Sequence, residues 1–466
     1  MTETVTSAGA ATTAVSTPAS IGARLDRMRI GPVHRRITAV IGVGLFFDTF
    51  ENNLSGTIGK VLQGDFALDA TTLKFVLAST FIGQFLGSLV MGKVADRYGR
   101  RRAFLLNLAI YSGFSLLGAF SPNVYWLIAT RFLAGIGIGA EQALSDCYLA
   151  DVLPASKRGR FIAWAYTVAF CGVPAVGFAA LWLAPASFLG VSGWRWLFVI
   201  GSLGSAVVWV LRRRLIESPR WLATRGRTAE AEVLVTWMEA GTPGGGARPE
   251  PVEPVAAVAP ALRLRDVFRP ELRRRTSMLW ILCVLSVVGY YGFGTLAPQV
   301  LAAKGYDIVA GLGFTALSFL GYPVGSALAL PVIDRMERRT LLVLSAAAMA
   351  LAGLGFGLTT SPALIVTFGF AYTLCSNIFS SVSHVYLSEQ YPTSIRAAAS
   401  GAAYSLSKLS AGAIPFVLLP VLDAGGSGAL FWAIAGAMAV LIVSVLSLGD
   451  RTTGVSVDRQ LVFRKG

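Results

Sequence analysis

The chain has 466 residues, of which 54% are hydrophobic and only 14% are charged. Soluble domains carry about 25% charged residues, so this composition excludes an ordinary set of soluble domains. The formal net charge is +15, but the basic residues stand in short clusters between apolar segments, which argues against a nucleic-acid-binding surface.

Apolar segments long enough to cross a bilayer follow one another along almost the whole chain. Twelve such segments predict an all-α membrane protein with transmembrane helices in two sets of six. The predicted spans are residues 37–58, 73–95, 102–120, 123–150, 160–184, 194–216, 276–303, 308–333, 339–359, 362–388, 396–422 and 428–448.

The basic clusters fall in alternate loops between these spans. They precede the first span (Arg24 to Arg36) and follow the second (RYGRRR), the fourth (SKRGR) and the eighth (DRMERR), and a further cluster, RRR at 212–214, lies at the end of the sixth. Loops with an excess of Lys and Arg stay in the cytoplasm. The pattern predicts a multi-pass protein of the cell (plasma or inner) membrane with both termini cytoplasmic.

Five segments follow from this arrangement. They are an amino-terminal cytoplasmic tail (1–36), a six-helix bundle (37–216), a cytoplasmic linker (217–275), a second six-helix bundle (276–448) and a cytoplasmic tail (449–466). The middle of the linker, GTPGGGARPEPVEPVAAVAP, is typical of a flexible tether, whereas RTAEAEVLVTWMEA (227–240) predicts a short amphipathic helix. Residues 1–20 lack the basic start and apolar core of a signal peptide.

Two motifs recur in the second half with one spacing. DRYGRR begins at Asp96 and DRMERR at Asp334, while DVLPASKR begins at Asp151 and EQYPTSIR at Glu389. Both pairs are 238 residues apart (334 − 96 and 389 − 151). The shared offset indicates that the halves repeat one structural unit, an arrangement that suits alternating access at their interface.

These motifs resemble those of the major facilitator superfamily. GKVADRYGRRRAF is similar to its signature loop between helices 2 and 3, and RFLAGIGIGA followed by DVLPASKRGR to helix 4 of its sugar-porter and organic-ion branches. ESPRWLATRGR resembles their end of helix 6, and SEQYPTSIRA their helix 10–11 loop. The resemblance covers nearly the whole chain and implies a twelve-helix secondary transporter.

Departures from these patterns narrow the resemblance to one branch of the superfamily. The helix 7 segment LSVVGYYGFGTLAP lacks the paired glutamines of sugar porters, and GDRTTG is a reduced form of their ending after helix 12. CGVPAVG only loosely resembles the helix 5 pattern of drug/proton antiporters. YYGFGTLAP and FFDTFE are instead similar to the aromatic-acid, nicotinate and organic-ion symporter branch.

Two acids stand three residues apart in the first span, in GLFFDTFENN. Charges at the bilayer centre are costly and functional by default, and the i, i+3 spacing puts Asp48 and Glu51 on one face. The resemblance implies that Asp48 pairs with Arg131, which opens RFLAGIGIGA. We therefore predict Asp48 as the proton carrier and Glu51 as the second candidate, although Glu51 could instead face the outer vestibule.

Further ionisable residues extend this group. Glu141 lies ten residues before Asp151, about 15 Å deeper along a helix, and is predicted to join Asp48, Glu51 and Arg131 in proton coupling. Lys408, inside the eleventh span, either binds an anionic substrate or neutralises Glu141. Asp146 and His384 lie nearer the cytoplasmic end and are weaker candidates.

Tyrosines of helix 7 and polar wall residues are candidates for substrate contact. Two adjacent rings with hydroxyl groups suit a flat substrate, although aromatic residues in helices also serve packing. The predicted substrate-binding residues are Asn52, Gln84, Gln142, Tyr290, Tyr291, Gln299, Asn377 and Lys408.

Charged residues at the cytoplasmic helix ends are predicted to form a gate. Ion pairs that break and reform between two states can bias a conformational equilibrium. We expect Asp151 to pair with Arg158 and Glu389 with Arg396. We expect Asp96, Arg97 and the arginines that follow to pair across the two halves, although Arg100 to Arg102 could equally be topological anchors. The predicted gating residues are Asp96, Arg97, Asp151, Arg158, Asp334, Arg335, Glu389 and Arg396.

Together these features predict a proton-coupled symporter that imports a small organic solute, in particular an organic or aromatic acid. A sugar or polyol symporter and a proton-driven exporter of cationic compounds are the alternatives. The four cysteines have no CxxC spacing and the chain has two histidines, so we expect no metal site and no cofactor beyond the proton gradient. The expected partners are a small-molecule substrate, protons and the lipid bilayer, and no nucleic acid is expected. We predict a monomer and no enzymatic activity.

Overall fold

The computed structural model describes residues 18–154, 157–188, 190–241, 268–333, 335–390 and 396–451. Within the described residues up to 241, the chain forms twelve helices and one short hairpin of strands β1 (Ser187–Phe188) and β2 (Val191–Ser192). These helices are α1 (Pro18–Arg27), α2 (Pro32–Thr57), α3 (Gly59–Asp65), α4 (Ala70–Tyr98), α5 (Arg100–Ala119), α6 (Val124–Ile138), α7 (Glu141–Val152), α8 (Arg158–Phe170), α9 (Gly172–Leu183), α10 (Gly193–Arg212), α11 (Pro219–Thr224) and α12 (Thr228–Ala240).

The second half is helical throughout its described residues. Its helices are α13 (Pro270–Ala303), α14 (Ile308–Phe319), α15 (Gly321–Ile333), α16 (Arg338–Leu358), α17 (Pro362–Glu389) and α18 (Arg396–Leu448).

These helices account for the twelve predicted spans. Within the described ranges, nine helices are long and apolar enough to cross a membrane, or ten if α1 and α2, bent by 91°, form one broken span. Helix α18 has 53 residues and non-helical backbone at Gly426 (φ 68°, ψ −171°), so it contains two spans. Helices α6 and α7 together cover the predicted span 123–150. The chain is a helical, multi-pass membrane protein with twelve transmembrane helices in two pseudo-repeats, as predicted.

The two halves meet along three sets of helices. Helix α4 packs against α18, α2 against α13, and the broken helix α8–α9 against α14 and α15. Within the first half, α2 packs on α8, α9 and α10, and α4 on α6. Residues of α2 that face away from lipid therefore point either at the first-half core or at the interface between the halves.

The segment RFLAGIGIGA owes its small residues to close helix packing. A Cβ atom added at Gly135 would lie 2.2 Å from the carbonyl oxygen of Thr80, a distance that no side chain can occupy. Helix α6 consequently approaches α4 at backbone contact, which carries Arg131 into the interior of the first half.

A small helical unit covers one end of the first half. Arg24 of α1 forms ion pairs with Glu232 and Glu239 of α12. Helix α12 occupies the segment predicted to be amphipathic, while the tether at 242–267 and the tail from 452 lie outside the described residues. We call the end of the molecule that carries this unit and the α4–α5 loop the inner end; it is the predicted cytoplasmic end.

Candidate functional site

A cavity of about 630 Å³ lies between the two halves. This volume falls within the range of small-molecule sites. Its wall is formed by α2, α7 and α8 from the first half and by α13, α15, α17 and α18 from the second. The lining runs from Asn52 and Tyr291 in the middle of the helices to Arg158 and Leu387 at the inner end, so the cavity opens toward the inner end.

The opposite end of the interface is closed by contact of α13 with the end of α2 and the start of α3. A Cβ atom added at Gly56 would lie 2.8 Å from the Cα atom of Thr295, and one added at Gly59 would lie 2.4 Å from Nε2 of Gln299. The structure therefore has the geometry of an inward-opening state.

Arg131 pairs with Glu51 rather than with Asp48, which corrects the pairing expected from the sequence. Its Nη1 lies 2.9 Å from Oε2 of Glu51 and 3.0 Å from Oγ of Ser115, and its Nη2 donates to the Glu51 carbonyl oxygen at 3.2 Å. Ser115 also donates to Oε2 of Glu51 at 2.6 Å. Both charged side chains are fully buried, so Glu51 does not face an outer vestibule. The physical reason is the position of α6, which brings the guanidinium level with Glu51, one turn beyond Asp48.

Glu141 has a partner that the sequence did not suggest. Nη1 of Arg212, in α10, lies 2.5 Å from Oε1 of Glu141, and both side chains are fully buried. The guanidinium also lies 4.4 Å from the ring centroid of Phe104. Lys408 is therefore not needed to neutralise Glu141. In the sequence Arg212 opens the run RRR, where it is indistinguishable from an interfacial anchor.

Asp48 is a buried acid that belongs to neither of these two ion pairs. Its side chain is 2% exposed, and its Oδ1 atom has no hydrogen-bond partner among the described residues. An ionised carboxylate in such a place is costly. The acids Glu141 and Glu51 and the bases Lys408 and Arg212 are close enough for their charges to act on it.

Asn52, one turn after Asp48 in α2, lines the cavity. Its Nδ2 donates to the hydroxyl oxygen of Tyr291 at 3.0 Å, and its Oδ1 accepts from Nε2 of Gln84 at 2.6 Å. The first of these bonds crosses between the two halves. Five of the predicted substrate-binding residues line the cavity: Asn52, Gln142, Tyr290, Tyr291 and Lys408.

The other three predicted substrate-binding residues lie outside the cavity wall. Gln84 is fully buried behind Asn52, and Asn377 is fully buried and donates to the carbonyl oxygen of Tyr322. Gln299 lies at the closed outer end beside Gly59. In this conformation these amides support the helix packing rather than present themselves to a solute.

Lys408 is the buried cation of the cavity wall. It is 4% exposed, and its Nζ lies 5.1 Å from the ring centroid of Tyr404 and 5.9 Å from that of Tyr291. Among the described residues it forms no ion pair with a carboxylate. Tyr404, which the sequence analysis did not single out, also donates a hydrogen bond to Oε1 of Gln142 across the halves.

A second polar group lies nearer the inner end of the cavity. The Tyr166 hydroxyl donates to Oδ1 of Asp146 at 2.9 Å. The Tyr166 ring stacks on His384 of the other half, with centroids 6.4 Å apart and an angle of 28° between the planes. His384 and Tyr404 have centroids 5.6 Å apart. Rings from both halves therefore line the path from the middle of the cavity to its mouth.

The predicted gating residues of the first half form contacts within that half. Asp96 pairs with Arg100 at 2.6 Å, while the Arg97 guanidinium lies over the ring of Tyr98. Arg158 pairs with Asp26 of α1 at 3.0 Å and not with Asp151, because α1 places the Asp26 carboxylate within reach of the first residue of α8. These contacts correct the expected Asp151–Arg158 pair and the expected pairing of Asp96 across the halves.

Asp151 instead joins the end of α7 to the linker. It accepts a hydrogen bond from Oγ of Ser218 at 2.8 Å, and Nε of Arg100 lies 3.9 Å from it. Burial raises the pKa of the Asp151 carboxyl, against the opposing effects of the Ser218 hydrogen bond and the nearby Arg100. The loop charges thus hold α1, α5, α7 and α11 together at the inner end.

The gating residues of the second half are only partly described. Arg335 is exposed. Asp334 and the side chains of Glu389 and Arg396 lie outside the described residues, so the predicted Glu389–Arg396 pair stays a prediction.

Comparison with known proteins places this arrangement among membrane transporters. A family described as "Sugar (and other) transporter" matches residues 38–460. The chain is 32% identical over 396 residues to the putative metabolite transport protein YyaJ of Bacillus subtilis, covering 83% of this chain and 86% of that protein. It is 29% identical over 438 residues to the niacin transporter NiaP of Acinetobacter baylyi, covering 93% of this chain and 98% of that protein.

Solved structures support the same architecture. The partially occluded inward-open conformation of the xylose transporter XylE from E. coli aligns with a TM-score of 0.74 at 19% identity. The alignment covers 90% of this chain and 99% of that chain. At this level of identity the likeness concerns the fold alone.

Proposed function

This chain belongs to the sugar (and other) transporter family of the major facilitator superfamily, and from that premise we propose that it is a proton-coupled symporter which imports a small organic acid. The chain is a multi-pass membrane transporter and not an enzyme. The proposal concerns the coupling ion, the direction of transport and the class of substrate.

The environment of Lys408 is the main support for an anionic substrate. The ammonium group is buried in the cavity wall between two tyrosine rings. The fully buried carboxylates of Glu51 and Glu141 are already paired with Arg131 and Arg212. A buried charge is retained where it has a partner. A substrate carboxylate would supply that partner, while the tyrosine rings beside it would contact a flat aromatic body.

Asp48 supports the proposal of proton coupling. It is buried, its Oδ1 atom is unpartnered, and it lies one helical turn from Asn52 in the cavity wall. A proton can bind to this carboxyl without breaking an ion pair. Glu51 and Glu141 are less suited to carry the proton because each already has an arginine partner.

One of the relatives supports an organic acid as the class of substrate. One similar protein is a niacin transporter, and niacin is an aromatic carboxylic acid. The description of the matching family also names sugars, so a neutral sugar is the second candidate. Gln142 and Asn52 are the cavity amides that could bind sugar hydroxyl groups.

Uptake into proteoliposomes tests the proposal. Labelled benzoate should accumulate when the outside is acidic, and Asp48→Asn should abolish this gradient-driven uptake while leaving exchange of internal for external benzoate. Normal accumulation by Asp48→Asn would refute Asp48 as the proton carrier.

Ligand binding in detergent tests the substrate class. Lys408→Ala should lose the thermal stabilisation that benzoate gives the wild-type protein. Lys304→Ala is the matched control, since Lys304 lies outside the cavity and donates to the carbonyl oxygens of Gly357 and Thr359. Stabilisation by xylose but not benzoate, unchanged in Lys408→Ala, would favour a sugar substrate; stabilisation only by a lipophilic cation would favour an exporter.

A further inference from the structure

The buried charges of the first half balance except for one group. Glu51 is neutralised by Arg131, and Glu141 by Arg212, with all four side chains fully buried. Asp48 is the remaining buried acid in this group, and it has no ion-pair partner among the described residues. Ionisation of Asp48 therefore leaves the buried group of the first half with one uncompensated negative charge.

The second half supplies one buried positive charge to the same region. Lys408 lies in the cavity wall facing α2, beside Tyr291, whose hydroxyl accepts from Asn52. Lys408 and Asp48 do not form a direct ion pair in this inward-opening conformation, but their charges act on one another. The titratable and charged groups that surround Asp48 are Glu51 (α2), Tyr111 (α5), Glu141 (α7), Tyr166 (α8), Arg212 (α10) and Lys408 (α18).

We propose that Lys408 serves as the counter-cation of ionised Asp48 in the empty transporter and of the substrate carboxylate in the loaded one, so that each monocarboxylate crosses with one proton and the cycle is electroneutral. This inference rests on the proposed function, because it requires an anionic substrate.

Charge balance separates the permitted states from the forbidden ones. In the empty transporter, ionised Asp48 and Lys408 sum to zero. In the loaded transporter, Asp48 is protonated, and Lys408 and the substrate carboxylate sum to zero. Anion bound without a proton leaves one negative charge, and a proton bound without the anion leaves one positive charge. Both unbalanced states bury a net charge, which is disfavoured at membrane depth, so neither species crosses alone.

Binding measured against pH tests the exchange of partners at Lys408. One proton taken up with each benzoate predicts that the affinity of the wild-type protein in detergent falls about tenfold per pH unit above the titration range of Asp48. Asp48→Asn, which is neutral at every pH, should bind benzoate with an affinity independent of pH. Lys408→Gln should lose benzoate binding, and Lys408→Arg should restore both the binding and its pH dependence.

Asp146 provides a control within the same cavity. It is another acid of α7, but it is partly exposed and its carboxylate is held by Tyr166. We expect Asp146→Asn to retain the pH dependence of benzoate binding, whatever its effect on the transport rate. A flat pH profile in Asp146→Asn together with a retained slope in Asp48→Asn would overturn the proposal.

Uptake under a clamped membrane potential tests electroneutrality. Benzoate uptake by the wild-type protein in proteoliposomes should respond to the pH gradient and not to a potassium diffusion potential set with valinomycin. In Asp48→Asn the loaded carrier is neutral and can exchange benzoate, but the empty carrier keeps the uncompensated charge of Lys408, so net uptake should be absent with or without the imposed potential.

The outcomes separate this inference from the proposed function. Benzoate uptake that follows the pH gradient but also responds to voltage in the wild-type protein, or binding without pH dependence, would overturn electroneutral coupling and leave the symporter standing. Absence of benzoate binding in both the wild-type protein and Asp48→Asn would contradict the organic-acid function and this inference together.

Discussion

Arg131 of α6 and Glu51 of α2 form a fully buried ion pair, with 2.9 Å between Nη1 and Oε2. Ser115 contributes a third polar group to the pair, and the guanidinium lies 5.1 Å from the ring centroid of Phe198. Asp48, one turn away on the same helix, is excluded from this group. The two acids of GLFFDTFENN therefore differ in their contacts: Glu51 holds α2 to α6, and Asp48 has no ion-pair partner among the described residues.

Glu51→Gln should destabilise the protein far more than Asp48→Asn. The first substitution leaves a buried guanidinium without its counter-charge, which costs ~3–5 kcal/mol in known cases. The second replaces a carboxyl whose Oδ1 atom has no hydrogen-bond partner, so we expect a change within about 1 kcal/mol. Thermal unfolding in detergent measures both. A larger loss of stability for Asp48→Asn than for Glu51→Gln would indicate that Arg131 pairs with Asp48 and not with Glu51.

Arg212→Met should also destabilise the protein, because it leaves Glu141 buried without a partner. We expect a loss of ~3–5 kcal/mol in the free energy of unfolding. The double substitution Arg212→Met with Glu141→Gln removes both charges and should lose less than the sum of the single variants. Strictly additive losses in a double-mutant cycle of thermal unfolding would show that the two groups are not coupled.

Gly56→Leu should favour the conformation in which the outer end is open. A Cβ atom at position 56 would lie 2.8 Å from the Cα of Thr295, and overpacking of this kind costs ~1–3 kcal/mol. Since that strain is present only when α2 touches α13, the equilibrium should shift roughly 5–150-fold away from the inward-opening state.

Thiol labelling measures the shift caused by Gly56→Leu. In a variant without native cysteines, a cysteine at Ser383 in the cavity wall should react more slowly with an impermeant reagent applied from the inner side. Gly64→Leu is the control, because an added Cβ there meets nothing within 4 Å. Equal labelling rates in Gly56→Leu and Gly64→Leu would contradict the role of Gly56 in closure.

Asp151→Asn should be more favourable to stability, relative to the wild type, at neutral pH than at acidic pH. Burial raises the pKa of the Asp151 carboxyl in the folded protein, so folding favours its protonated form. The stabilisation from that proton is present below the unfolded pKa and is lost as the pH rises through the folded pKa. Asparagine is neutral throughout, so the melting temperature of Asp151→Asn minus that of the wild type should increase with pH. A difference that decreases with pH would indicate that Arg100 and Ser218 dominate over burial.

Much of the architecture could be predicted because it depends on local sequence. Twelve apolar segments, basic loops and one repeated spacing predicted the two sets of six helices. The wall residues Asn52, Gln142, Tyr290, Tyr291 and Lys408 were also found, because polar or aromatic residues inside apolar spans are conspicuous. The predicted wall residues Gln84, Gln299 and Asn377 had the same signal but face helix packing, and the sequence offers no means of separating the two kinds of site.

The partners of the charged residues could not be obtained in this way. Asp48 and Glu51 share one helix face, so the pattern alone does not tell which of them meets Arg131. Arg212 belongs to a run of three arginines at a helix end, and nothing local indicates that one of them turns into the core.

The sequence by itself determined that this chain crosses the membrane twelve times and carries acids where charge is costly, because insertion depends on the apolar length of each helix. Tertiary structure alone decided which acids are neutralised by arginine and which acid is left without an ion-pair partner. Ion pairing requires contact within a few ångströms, and that contact depends on how α2, α6, α7 and α10 are rotated and spaced against one another. The close packing of α6 on α4 and the inward turn of Arg212 set that geometry, and together they leave Asp48 without a partner.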